Sequence, residues 1–364
     1  MLIDLIAGAR PNFMKIASII KKKKKRAEIS GAFGYRLVHT GQHYDQNMSA
    51  TFFSQLGIPE PDVNLGVGSG TQAEQTAGIM TAYENLLVEK PCNLCLVVGD
   101  VTSTMSCAIT AQKLKIEVAH VEAGIRSSDW SMPEEINRMV TDSISNYCFT
   151  TSENANQNLI SLGVPKDRIF FVGNTMIDTL FNNMDRFCKP SFWDELHLQK
   201  QDYFVLTLHR PGNVDEAKNF ISLLTTIGKG ARGKTIVYPV HPRSAKNLSS
   251  LGSLPSNIAF IEPQPYLEFN YLVQNAKAVI TDSGGITEET TVMGIPCMTL
   301  RDSIERPETI SMGTNELVGT EPENLIPHLD CLFQGNWKEG KIPPKWDGKT
   351  GDRIVGHIEE ILLA

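Results

Sequence analysis

Charged and protonatable side chains recur at one kind of place in this sequence, just after a short apolar run and just before an amphipathic stretch. The first such junction is Gly8-Ala9-Arg10-Pro11, with Lys15 one turn further on. Pro11 suits the first turn of a helix, where its missing N–H costs nothing. Arg10 and Lys15 then stand where they can meet anionic oxygens, the alternative being plain surface charge. The second, Thr40-Gly41-Gln42-His43-Tyr44-Asp45, is dense in hydrogen-bonding groups. In the third, Gly99-Asp100-Val101, Asp100 reads equally as a helix cap or as a catalytic carboxylate. The fourth, His120-Val121-Glu122, leaves a carboxylate at the end of a buried run, an unusual place for a charge unless it is used. Downstream, Glu134 and Arg138 are four apart and share a helix face, an exposed ion pair being the alternative. Ile136, Met139 and Val140 are expected to mark the buried side of that helix.

The second half repeats the arrangement. His209-Arg210 follows an apolar run and can protonate or hydrogen-bond a leaving group. Val240-His241-Pro242 reads as a loop contact. In Thr281-Asp282-Ser283-Gly284-Gly285-Ile286-Thr287-Glu288-Glu289, two glycines open a helix, so its backbone can approach a phosphate and its free N–H groups can bind one. Glu288 and Glu289 can accept ribose hydroxyls, or can simply favour the helix start. Neither G-x-G-x-x-G nor G-x-x-x-x-G-K-[ST] occurs, which removes support for NAD and P-loop chemistry.

The elements that must hold these groups are short strands alternating with helices. Expected strands are Leu2–Ala7, Arg36–Thr40, Leu94–Val98, Val118–Val121, Tyr147–Thr151 and Ile169–Val172, then Tyr203–Leu208, Thr235–Pro239, Ile258–Ile261, Ala278–Thr281 and Cys297–Leu300. Most are continuous apolar runs, the mark of parallel strands covered on both faces. The class is α/β, with two Rossmann-like, doubly wound domains holding a ligand in an interdomain cleft at their strand carboxyl ends. The expected bounds are 1–180 and 181–350, with 185–201 as connector and 351–364 as a terminal helix whose packing partner the pattern does not identify.

Composition narrows the class further. With 364 residues, 41% hydrophobic and 21% charged, the chain reads as an ordinary two-domain globular protein. A net charge of −7 argues against nucleic acid as partner, and no apolar stretch is long enough to span a membrane. The basic run Lys21 to Arg26 closes the first helix and complements its dipole. With no leader pattern at Met1, the cytoplasm is the expected compartment. Seven scattered cysteines, including Cys92-x-x-Cys95 without a second pair, read as buried thiols rather than a zinc or redox site. No motif calls for a metal or other cofactor.

The ordered series GARPNFMK, HTGQHYD, VVGDVTSTMS, HVEAGIRS, PEEINR, TLHRPGN, VHPRS, TDSGGITEE and RDSIERPET resembles the non-hydrolysing UDP-N-acetylglucosamine 2-epimerases, of the GT-B fold, over nearly the whole chain. The resemblance implies inversion at C2 of a UDP-linked 2-acetamido sugar, a step that supplies surface-polysaccharide precursors. UDP would be eliminated to a 2-acetamidoglucal-like intermediate and then re-added. It places catalytic carboxylates at Asp100, Glu122 and Glu134 and a catalytic histidine at His209. Phosphate and sugar contacts fall at Arg10, Lys15, His43, Arg138, Ser283, Gly284, Gly285 and Arg301. Glu289 matches the ribose position, and Gln264 and Phe269 lie where uracil is held. It also implies a homodimer.

The match is not uniform. Where many bacterial relatives read HRREN, this chain has His209-Arg210-Pro211-Gly212-Asn213, and a glycine-rich Leu65–Thr71 segment replaces an activator-contacting loop. Gln42, Arg210 and His241 are the remaining candidates for a regulatory contact. The pattern resembles the subgroup acting without an activator, which includes epimerases of UDP-2,3-diacetamido-uronic acids. A GT-B glycosyltransferase is the alternative from another enzyme class, but it has no need of carboxylates at both Asp100 and Glu122 together with the Glu134–Arg138 pair.

Overall fold

The apolar runs of the first half become strands with alternate residues feeding two different cores. Leu94, Leu96 and Val98 pack with Phe13, Ile16 and Ile19 on one face, while Cys95 and Val97 pack with Ile79, Tyr83 and Cys107 on the other. A computed structural model describes residues 1–27, 33–41, 55–240, 244, 245, 248 and 254–363, without the side chains of residues 10 and 25–27. The chain divides into one unit of Met1–Asn182 with Pro344–Ala364 and another of Asn183–Pro343.

In the first unit, β1 (Leu2–Ala7), β2 (Gly34–His39), β3 (Val63–Asn64), β4 (Leu94–Val98), β5 (Glu117–Val121), β6 (Tyr147–Thr150) and β7 (Ile169–Phe171) form one sheet. Its order is β3-β2-β1-β4-β5-β6-β7, and every pairing is parallel. Its helices are α1 (Arg10–Ala27), α2 (Gln72–Glu89), α3 (Thr102–Lys113), α4 (Pro133–Ile144), α5 (Glu153–Ser161) and α6 (Thr175–Asn183). Strand order reverses between β1 and β4, which opens a crevice at their carboxyl ends.

The second unit repeats this plan with β8 (Tyr203–Thr207), β9 (Thr235–Pro239), β10 (Ile258–Ile261), β11 (Ala278–Thr281), β12 (Cys297–Thr299) and β13 (Asn315–Leu317). The parallel order is β10-β9-β8-β11-β12-β13, so its reversal lies between β8 and β11. Its helices are α7 (Pro211–Val214), α8 (Ala217–Gly230), α9 (Tyr266–Asn275), α10 (Gly284–Met293), α11 (Glu308–Ser311) and α12 (Leu325–Phe333). Trp193 of the connector lies edge-on to Tyr203 and Tyr271 and belongs to this unit's core.

Two strands escaped the sequence reading. β3 and β13 are edge strands of two and three residues, too short to show a pattern. The terminal helix, α13 (Thr350–Leu363), packs on the first unit, with Ile354, Val355 and Ile358 joining the α1 and β1 core. Asp178 of α6 caps it, accepting Thr350 N–H at 3.0 Å and Gly351 N–H at 2.7 Å. Lys22 of α1 reaches Asp352 at 2.6 Å. The return to the first unit begins at Pro344, ahead of the expected 351. The reason is Trp346, fully buried, whose Nε1–H donates to the Thr151 carbonyl at 3.0 Å. Gly173 allows this approach, for at φ +103° an added Cβ would lie 2.1 Å from the Lys345 oxygen.

Cys92, Cys95, Cys107, Cys148 and Cys297 are buried. Burial pushes the thiols of Cys92, Cys148 and Cys297 up to about 12, so they pack as neutral apolar groups. No described helix is long and apolar enough to cross a membrane.

Candidate active site

In the first unit the site is built where β1, β4 and β5 end. Asn12, in the first turn of α1, accepts Gly8 and Ala9 N–H at 3.2 and 2.9 Å and donates to the Val98 carbonyl at 2.8 Å. It thereby ties the β1 turn to the end of β4. Lys15, a turn along α1, forms an ion pair with Glu122, both nearly buried. Gly99 leaves room for that pair, since at φ +70° its Cβ would stand 3.0 Å from Lys15 Nζ and 3.4 Å from Glu122 Oε2. Glu122 itself has φ 74°, a left-handed conformation costing about 1–2 kcal/mol in a non-glycine residue. The turn is held by Glu122 and Ala123 N–H, which both donate to the Phe149 carbonyl of β6.

Asp100 does not cap α3. The N-cap position is Val101, without a side-chain hydrogen bond. The Asp100 carboxylate instead accepts Arg138 Nε at 3.0 Å and Nη2 at 2.6 Å. Arg138 also donates through Nη1 to Glu135 at 2.7 Å. Glu135 is buried and accepts the Ser127 and Ser128 N–H groups and the Ser127 hydroxyl. Burial alone would raise the Glu135 carboxyl, but these donors hold it below the usual carboxylate range.

The expected face of α4 is therefore reversed. Glu135, Asn137, Arg138, Thr141 and Asp142 point inward, whereas Ile136 is 46% exposed and Met139 and Val140 are half-buried. Polar groups can occupy the inner side because the loops of β4 and β5 supply their partners. Asn137 donates to the Asp100 carbonyl at 2.8 Å. Asp142 pairs with Arg126 at 2.7 Å and with Nδ1 of His120 at 2.7 Å, and the other nitrogen of His120 lies 2.8 Å from the Gly99 carbonyl. Against the effect of burial, His120 and Arg126 hold the Asp142 carboxyl below its ordinary range. Glu134 is half-buried at the first turn of α4, and the carboxylates paired with Arg138 are Asp100 and Glu135.

In the second unit the site forms where β8 and β11 end. His209 N–H and Arg210 N–H both donate to the Asp282 carboxylate, at 3.0 and 2.9 Å. Nδ1 of His209 lies 2.7 Å from Asp282 Oδ1. Ser283, Gly284 and Gly285 lead into α10 and are half-buried. A Cβ added at Gly285 would meet nothing within 4 Å, so the space over this helix start is open. Arg301 is nearly buried and forms a two-point pair with Glu305 at 2.6 and 2.7 Å. Glu288 takes Arg306 Nε at 2.7 Å. Glu289 accepts the Tyr266 hydroxyl at 2.8 Å, and burial pushes its carboxyl up to about 7. Gln264, just before α9, and Phe269, within it, are half-buried, Gln264 donating to the Glu262 carbonyl at 2.8 Å.

Each unit thus gathers its own share of the expected residues: Lys15, Asp100, Glu122, Glu134 and Arg138 in the first, and His209, Arg210, Ser283, Gly284, Gly285, Glu289 and Arg301 in the second. Gln42, His43 and His241 lie outside the described residues, as does the side chain of Arg10. The sequence reading assigned no role to Asn12, Glu135 or Asp282. Asp282 follows β11 directly, so the rule that selected Glu122 would have found it.

Two parallel sheets in one chain, each offering cations and proton carriers at its point of strand reversal, define the GT-B class of nucleotide-sugar enzymes. Within it, the chain belongs to the family described as UDP-N-acetylglucosamine 2-epimerase, whose family model matches residues 25–359. The chain is 40% identical over 368 residues to the UDP-N-acetylglucosamine 2-epimerase of Methanocaldococcus jannaschii, covering 98% of each. It is 37% identical over 330 residues to the UDP-2,3-diacetamido-2,3-dideoxy-D-glucuronate 2-epimerase of Pseudomonas aeruginosa, covering 90% of each. The crystal structure of the M. jannaschii enzyme in complex with UDP-GlcNAc and UDP superposes with a TM-score of 0.87 at 39% identity, over 99% of this chain and 100% of that one.

Proposed function

We propose that this protein interconverts UDP-N-acetylglucosamine and UDP-N-acetylmannosamine by elimination and re-addition of UDP. The observation that carries the reading is the pair of braced carboxylates in the first unit, Glu122 against Lys15 and Asp100 against Arg138. A hydrogen beside an acetal carbon is weakly acidic, so its removal needs a positioned base and a stabilised leaving group. One carboxylate takes the C2 proton. The C–H electrons form the C1–C2 double bond as the C1–O bond breaks, and its electron pair moves onto the β-phosphate oxygen. Re-addition of UDP with protonation on the other face of C2 gives the epimer, so carboxylates must serve both faces. Asp100, Glu122 and Glu134 are the candidates. Phosphate binding falls to the start of α10 with Arg301, ribose to Glu289, and uracil to the Gln264–Phe269 region. The reading includes action as a cytoplasmic homodimer, a state that sedimentation velocity measures directly.

The test is incubation with UDP-N-acetylglucosamine in deuterated water, followed by NMR. Deuterium at C2 together with UDP-N-acetylmannosamine is the expected outcome, and release of free sugar or retention of hydrogen at C2 refutes it. A second substrate, the UDP-2,3-diacetamido-uronic acid, is favoured by the likeness to the P. aeruginosa enzyme, which extends over 90% of both chains. It is the first alternative to try if UDP-N-acetylglucosamine is inert.

A further inference from the structure

The Asp282 carboxylate is fully buried, yet the imidazole it touches is 41% exposed. Besides His209 Nδ1, the carboxylate accepts the backbone N–H of His209 and of Arg210 and one hydrogen of the Asn213 amide at 3.1 Å. The Asp282 carbonyl in turn accepts Arg210 Nε at 3.1 Å. Strand β11 fixes one side of this contact and strand β8 the other, through the register Thr281 to Thr207. The register sets the two backbones side by side, so the ring and the carboxylate meet at the end of the sheet. Burial would raise the Asp282 carboxyl, but His209, the Arg210 N–H and Asn213 hold it below its usual range. An ionised carboxylate has no hydrogen to donate, so Nδ1 of His209 must supply the one they share. Nε2, on the other side of the ring, then faces away from Asp282, on a side chain that is 41% exposed.

We propose that Asp282 is a positioning residue for His209, fixing the ring with its Nδ1–H turned inward and its Nε2 presented to the departing β-phosphate oxygen. The proposal rests on the epimerase reading above. As the C1–O bond breaks and its electron pair moves to that oxygen, a ring protonated at Nε2 donates a hydrogen bond to the new charge, and it releases that bond when UDP adds back. Asp282 exchanges no proton in either direction. It balances the charge the ring carries when both nitrogens bear hydrogen, as the buried carboxylate does in Ser-His-Asp hydrolases. Among the described residues, Arg210 is the next charged group along the same loop, and Glu305 lies 3.8 Å from its guanidinium.

The test compares Asp282→Asn, His209→Asn and the double variant by turnover, KM and the pH profile of kcat, each checked for fold by circular dichroism. Asp282→Asn should lower kcat by about 100-fold or more and change KM by less than about threefold. It should also displace the limb of the pH profile that His209→Asn removes. In the His209→Asn background the same change should cost almost nothing further, because the two residues act as one unit. Multiplying losses would show that Asp282 acts by bracing the loop, and wild-type kcat and pH profile in Asp282→Asn would overturn the proposal directly. Should the variants fail to fold, ¹⁵N NMR of the wild-type ring decides, a neutral Nε2–H tautomer sinking the idea and Nδ1–H sustaining it. A wild type that exchanges no C2 hydrogen in either UDP-sugar retires the epimerase reading instead, and the ring measurement still decides the His209–Asp282 geometry.

Discussion

At the scale of single residues the candidate site sets partly exposed groups such as Asp100 and His209 against buried groups such as Glu135 and Asp282 that hold them or their partners. Asp100 pairs with Arg138 and Glu122 with Lys15, and the proposed function asks one or both of them to take a proton. Asp100→Asn and Glu122→Gln keep size but remove that ability. Each is expected to lower turnover by about 10²–10⁴-fold with an unchanged circular-dichroism spectrum, and initial-rate measurements check this. Near-normal rates in either variant would take that residue out of the chemistry. Glu289 makes a different prediction. Burial raises its carboxyl from 4.5 to about 7 in the folded protein. Well below pH 4.5 the group is protonated in both states, so it gives stability no pH dependence there. Between pH 4.5 and about 7 the unfolded chain ionises first, so the folded state loses stability as pH rises. Glu289→Gln should remove that slope and be more stable than wild type at pH 8, by an amount on the order of a few kcal/mol. Urea denaturation of both proteins across this range, without ligand, measures the difference. Residue identities at strand ends were legible in the sequence, but partners were not. Glu134 and Arg138 are well spaced for a pair, yet Arg138 meets Glu135 and Asp100 because the loop of Ser127 and Ser128 draws Glu135 inward.

At the scale of elements, periodicity located the strands because most of the apolar runs are buried on both faces, and that requirement is local. It misjudged α4, whose inner face is polar. An apolar stripe marks the buried side only when the neighbouring elements are themselves apolar. Here α4 lies over loops rich in N–H donors and carboxylates, so Arg138 and Asp142 turn inward and Ile136 outward. The terminal helix teaches a related lesson. Its amphipathic pattern announces a helix, while its place beside α1 depends on Asp178, far away in sequence. Asp178→Ala should cost about 1–2 kcal/mol, the usual loss of a helix cap. The cost should appear as a lowered denaturation midpoint with little change in turnover, because α13 packs on α1 and lines neither strand-reversal point. An unchanged midpoint would show that Trp346 and the apolar contacts hold α13 unaided.

At the scale of the molecule, the two sheets share one strand order over six strands, the first adding a seventh at its edge, and each carries part of the candidate site. The candidate catalytic carboxylates sit on the first unit and the candidate nucleotide contacts on the second. UDP without the sugar should therefore depend on the second unit. At a UDP concentration 100 times its Kd, folding should gain about 2.7 kcal/mol, seen as a raised melting temperature. Asp100→Asn should keep that gain, and a double change of Arg301 and Glu289 to Ala should lose most of it. Loss of UDP stabilisation in Asp100→Asn would mean that the carboxylates bind nucleotide, and the proposed division of labour would fail.

The sequence by itself determined which segments are strands, that they pair in parallel, and which side chains stand at strand ends, because burial on two faces and the chemistry of a strand–helix turn are properties of short stretches of chain. Only the tertiary structure decided which carboxylate faces which cation, that Asp282 grips the ring of His209, that α4 hides its charges, and that the chain returns at Pro344 to finish the first unit. Those outcomes depend on groups far apart in sequence competing for the same partner. That competition is settled by distance and solvent exclusion in the folded molecule, which spacing along the chain does not encode.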